Sequence, residues 1–210
     1  MRQAFLLLNT VALLSLGACK DKATQQVQIN SPSDVKAAAE KVETKMKESQ
    51  DRWQERKVKG DTLAIPYKDL EGYLPDIPGY SKQEGPKGSQ MNVAGMGGWS
   101  EAEQEYTNGD KRVSVKIFDY NPSQQAFMGV TAVYGMGFSA EDDNKKQSPV
   151  DLGVKEVAAY ETIYKKEKKA EMAIVAGDRF LISVESNGDG DEDFVKSVAK
   201  NIKLDELVSK

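Results

Sequence analysis

Asp189, Asp191 and Asp193 stand at alternate positions near the end of the chain, the spacing with which a calcium loop begins. Such a loop needs Gly at its sixth position and Glu at its twelfth. Counted from Asp189, those positions hold Phe194 and Lys200; counted from Asn187, they hold Glu192 and Val198. Neither frame fits. The acids suit a helix start instead: Asp189 caps, Glu192 closes a capping box, and negative charge meets the positive helix end. No metal ligand is assigned. A second cluster, Lys165, Lys166, Lys168 and Lys169, surrounds Glu167. Clustered lysines can bind anionic headgroups or other polyanions; at a hairpin tip they also guard against edge pairing. The runs Gly95-Met96-Gly97-Gly98 and Gly135-Met136-Gly137 are a third candidate. Met96 and Met136, with Trp99, could line a cleft for an apolar ligand, because methionine adapts its shape. Glycines in such runs also serve as bulges and hinges. Neither run contains GxxxxGK[ST] or GxGxxG, so neither is a phosphate loop.

Enzyme chemistry finds little material. Histidine is absent, which removes the usual general base and the usual transition-metal ligand. There is no GxSxG. Ser33 and Lys36 have S-x-x-K spacing but fall in a helical arm. Acidic residues are plentiful, yet nothing in the sequence brings two into one pocket. No catalytic residue and no cofactor is assigned. The formal net charge of −4 does not suit a nucleic-acid partner.

The single cysteine, Cys19, carries the most specific signal. It follows Leu16-Gly17-Ala18, which ends an apolar run from Ala4 behind the positive Arg2. A charged start, about 7–15 apolar residues and a small-residue site make a secretory signal. The run is too short for a span, which needs about 20 apolar residues. Small residues running into cysteine resemble the lipobox of bacterial lipoproteins. That resemblance implies removal of residues 1–18, lipidation of Cys19 with several acyl chains, and anchorage to a membrane. It also implies a place in the cell envelope. Lys20 is not the aspartate that retains many such proteins in the inner membrane, so the outer membrane is favoured where the cell has one. With no cysteine beyond Cys19, the folded part relies on its core alone.

The elements follow in order. Residues 19–30 read as a flexible tether. Ser31-Pro32-Ser33-Asp34 opens a helix that runs to about Val58 and stops at Gly60. Its apolar stripe, Val42, Met46 and Trp53, is thin and interrupted by Ser49, so residues 31–59 read as a solvated spacer; a partner or membrane-surface helix is the sharper alternative. Residues 60–210 read as a single domain, beginning with a short strand at Leu63 and Ile65. Tyr67–Leu74 reads as a helical turn, and an irregular passage follows to Gly88.

From Ser100 to Tyr106 the glutamates 101, 103 and 105 alternate with Ala102, Gln104 and Tyr106. Asn108-Gly109 is a strong hairpin signal. It sets Glu105 against Arg112, Glu101 against Lys116, and Ala102 against Val115. Asn121-Pro122 then opens a helix with Phe127, Val130, Thr131 and Tyr134 on one face. Residues 139–149 read as a surface loop and Leu152 with Val154 as a short strand. Val157–Tyr164 and Lys169–Ala176 read as strands. Gly177-Asp178 turns a second hairpin that sets Val175 against Phe180 and Ile174 against Leu181, apolar on both faces and hence central. A helix through Phe194, Val198 and Ile202 closes the domain.

This order predicts an α+β fold, an antiparallel sheet with helices packed on it, behind a spacer helix. From Ser89 to Ile202 it resembles the PsbP-like α/β sandwich of some lipoproteins. The features that match are the hairpin at Asn108-Gly109, the helix after Asn121-Pro122, the run Leu152 to Ala158, the pair around Gly177-Asp178 and the closing helix. That resemblance implies a binding or assembly module and carries no site residue. The expectation is a lipid-anchored, non-catalytic envelope protein with a protein partner in the envelope. The alternative is a carrier or sensor of a small apolar ligand in the glycine–methionine cleft.

Overall fold

The computed structural model describes residues 32–93, 97–131, 134, 139–188 and 190–210. A long helix, α1 (Pro32–Val58), leads into a nine-stranded antiparallel sheet. Before the sheet come a helical turn, α2 (Tyr67–Leu70), and a 3-10 turn, Glu71–Tyr73. The strands are β1 (Ser81–Lys82), β2 (Lys87–Val93), β3 (Gly97–Asn108), β4 (Lys111–Asp119), β5 (Ala140–Glu141), β6 (Lys145–Val150), β7 (Val157–Tyr164), β8 (Lys169–Ala176) and β9 (Phe180–Asn187). Helix α3 (Gln124–Thr131) follows β4; α4 (Glu192–Lys200) and α5 (Leu204–Val208) close the chain. The order across the sheet is β1-β3-β4-β9-β8-β7-β6-β5, with β2 alongside β1 on the same edge of β3. This is the expected α+β fold, and β8 and β9 lie at its centre.

Period-two alternation decides which face carries the core. Tyr106, Val115, Ile174, Ile182 and Phe180 point to one face and are buried against Leu70, Val195 and Leu207. The other face is only half covered, so the central hairpin is not buried equally on both sides. Tyr106 donates its hydroxyl proton to the Pro75 carbonyl at 2.5 Å, and burial raises its pKa.

Both hairpin registers differ from the expected ones. Glu103 faces Lys116 and Tyr106 faces Val113, so Gly109-Asp110 make the first turn, with φ +59° at Gly109. The shift is two residues on the facing strand and leaves every side chain on its expected face. In the second hairpin Ala176 faces Phe180 and Val175 faces Leu181. Here the shift is one residue. The turn takes in Arg179 as well as Gly177-Asp178, because the Arg179 side chain is held in a buried ion pair.

Other expectations are corrected. Leu63 and Ile65 form no strand; Leu63 is exposed, and the Ile65 N–H donates to the Asp119 carboxylate at 2.7 Å. The irregular passage contains β1 and the start of β2, separated by a bulge at Glu84, where the Gln83 and Glu84 carbonyls accept from the Gln104 amide. The expected loop at 139–149 contains β5 and most of β6. Leu152 and Val154 are not in a strand. The cap of α4 is Asp191, which accepts the Asp193 N–H; Asp189 lies outside the described residues.

Candidate functional site

Helix α1 stops in a Schellman arrangement, with Asp61 N–H bonded to the Arg56 carbonyl and Gly60 N–H to that of Lys57. Gly60 takes φ +80°, which suits glycine there. The stop aims the last turns of α1 across the half-covered face of the sheet. Trp53 Nε1 donates to the Asn121 carbonyl at 3.0 Å, and Arg56 Nε donates to Asn121 Oδ1 at 2.9 Å. Arg52 pairs with Asp178. Desolvation lowers the Arg56 pKa, and the neighbouring Arg179 guanidinium adds to that. The helix is therefore not a solvated spacer over its whole length. Ser49, read in the sequence as a break in the stripe, is buried, while Val42 and Trp53 are half-buried and Met46 is exposed.

Beneath this latch lies a charged hub. Arg179 is 4 % exposed and grips Asp119 through Nε at 2.9 Å and a second nitrogen at 2.8 Å. Its third nitrogen reaches Asp61 at 3.0 Å. Asn121 donates to Asp61 and to the Leu63 carbonyl. The hub joins the end of β4, the β8–β9 turn and the segment after α1.

Beyond the hub, α1 and α3 stand over β7 and β8 with a groove of about 490 Å³ between them. Its apolar wall comes from Val42, Met46, Phe127, Met128, Ala158 and Val175. The rim is charged: Lys45, Glu48, Arg52, Lys155, Glu156 and Asp178. Glu156 and Asp178 both take positive φ, +61° and +53°, so two of the few strained non-glycine residues sit on this wall. Of the rim acids, Asp178 is held by Arg52, and Glu156 lies 3.4 Å from Lys155.

Of the three expected cleft residues, Trp99 alone lies among the described residues. Trp99 lies edge-on to Phe118 at 6.2 Å, the start of an aromatic row continued by Tyr120 and Phe127. It does not line the groove. Met96 and Met136 lie outside the described residues, as does Cys19. The lysine tip is largely engaged within the chain. Lys165 reaches Glu141 at 2.9 Å and Lys166 the Asn144 amide oxygen at 2.7 Å. Lys169 sits between Glu171 and Glu185 at 2.7 and 3.3 Å, which raises its pKa. The Lys168 carbonyl accepts the Gly188 N–H at 2.6 Å. Among the described residues, no three His, Cys, Asp or Glu side chains are grouped to hold a metal. No described helix is long and apolar enough to cross a membrane.

The groove was missed because its wall comes from an element read as solvated. The signal was present: residues 42, 46, 49, 53 and 56 recur at helical spacing, with the two arginines where the helix meets the domain.

No protein-family model and no curated protein matches the chain. A solved structure described as a GTP binding regulator from Thermotoga maritima overlays with a TM-score of 0.37 at 14% identity, covering 67% of this chain and 93% of that one.

Proposed function

We propose that this chain is a lipid-anchored, non-catalytic binding module of the cell envelope, and that the groove between α1 and the sheet takes its ligand, a small apolar molecule. The observation that carries the reading is the groove: its volume is in the range of small-molecule sites, about 300–1,000 Å³, and its wall is apolar with charges at the rim. That pattern suits an amphiphile whose apolar body lies inside and whose polar end meets Lys45 or Arg52. Anchorage rests on Leu16-Gly17-Ala18-Cys19, and the non-catalytic reading on the absence of histidine and of any thiol beyond Cys19. Titration of the purified chain with a fluorescent long-chain fatty acid tests the site. One probe should bind per chain, and Ala158→Phe, which fills the groove, should weaken it at least about tenfold while the protein still melts cooperatively. Unchanged binding by that variant would remove the site from the groove. Cell fractionation tests the anchor: Cys19→Ala should leave the tightly bound membrane fraction.

A further inference from the structure

The two ends of the sheet are finished differently. At one end β5 is two residues long, and β6 behind it carries Pro149, devices that discourage a further strand. At the other end β2 is seven residues long, Lys87-Gly-Ser-Gln-Met-Asn-Val93, with no proline and no charge after Lys87. Among the described residues it pairs only with β3, and all but one of its residues are exposed. Met91 is 47% and Val93 40% exposed, and Met91 lies opposite Trp99 on the face that carries the aromatic row.

We infer that the free edge of β2 is an interface that takes the β2 strand of a second copy, antiparallel about a two-fold axis at Gln90. This register is selected by three features. It pairs all seven residues, setting Gln90 against Gln90, Ser89 against Met91 and Lys87 against Val93. It keeps odd-numbered residues on the aromatic face in both copies, which a one-residue slip would not. It brings the two Met91 side chains into diagonal contact across the axis, about 7–8 Å apart at the backbone, so each covers the other's exposed thioether. The only charges on the strand, the two Lys87, fall at opposite ends, about 20 Å apart and beyond the screening length. One strand pair is a small interface, so the dimer is weak and favoured where chains are concentrated.

The test uses the full-length chain, whose only cysteine is Cys19, with the unsubstituted protein as background. Under mild oxidation Gln90→Cys should give at least about tenfold more disulfide dimer than Ser89→Cys, because only residue 90 meets its own copy within the 4.4–6.8 Å a disulfide spans. Sedimentation of the detergent-solubilised chain should show a concentration-dependent dimer that Met91→Lys abolishes without lowering the melting temperature. Equal crosslinking at 89 and 90, a dimer that survives Met91→Lys, or a monomer at every concentration would each overturn the inference. A monomer whose residue 90 crosslinks to a different protein in native membranes would overturn it in favour of a foreign strand.

Discussion

Arg179 is where the chain carries the largest electrostatic risk. Its guanidinium and the Asp119 carboxylate, 4% and 0% exposed, neutralise each other at 2.8 Å, with Asp61 completing the set. Removing one partner strands the other's charge away from water, at about 3–5 kcal/mol. Arg179→Met should therefore lower the urea midpoint sharply. Arg179→Met with Asp119→Asn should recover part of the loss, since the amide removes the stranded charge while its oxygen still accepts a backbone N–H from Ile65 or Asn121. None of this was legible in the sequence: Asp61, Asp119 and Arg179 are far apart in the chain, and only the fold brings them together. Glu161 is the second case. Burial raises its pKa and Glu192 adds to this, while the Ser148 hydroxyl, bonded at 2.8 Å, and Lys146 and Lys196 oppose it. The folded protein thus holds a proton that the unfolded chain has already lost. Stability should fall as pH rises from the ordinary carboxylate range through the raised value. Glu161→Gln should flatten that slope and be the more stable protein at neutral pH, read as urea midpoints across mildly acidic pH. An unchanged slope would assign the dependence elsewhere.

Individual elements were the most legible level. Strands β7 and β8 have the bounds expected of them, Val157–Tyr164 and Lys169–Ala176, and α1 ends where Gly60 requires. Register was less legible, for a specific reason. Alternation has a period of two, so it distinguishes faces but is blind to a slip of two. Only turn chemistry separates Glu101 from Glu103 as the partner of Lys116, and Asn108-Gly109 pointed one residue too early: Gly109, not Asn108, occupies the first turn position with positive φ. A double-mutant cycle settles the pairing in solution. Glu103 and Lys116 lie 3.3 Å apart and are about one-third exposed. They should couple by about 0.2–1 kcal/mol at low salt, and Glu101 with Lys116 by less. Greater coupling through Glu101 would restore the earlier register. In the second hairpin the one-residue difference did change faces, because a buried arginine took a place that turn statistics assign to a strand.

At the scale of the whole molecule, the two faces of the sheet have different jobs. The core cluster fills one face with Leu70, Ile77, Val195, Leu204 and Leu207, and among the described side chains none from α1 belongs to it. Helix α1 lies on the other face, held by Trp53, Arg56 and Arg52 through hydrogen bonds and one ion pair. The arm is thus docked on the sheet and not merely a spacer. A chain lacking residues 19–60 should keep its core and melt in one cooperative transition. Its midpoint should be lower, because Asn121 and Asp178 lose partners at a half-buried surface, about 1 kcal/mol for each hydrogen bond. The same chain should no longer bind the fatty-acid probe, since Val42, Met46 and Ser49 leave with the helix. Separating the two effects is informative. A truncated chain that melts without cooperativity would place α1 in the folding unit. One that melts cooperatively and still binds the probe would show that the groove under α1 is not the ligand site.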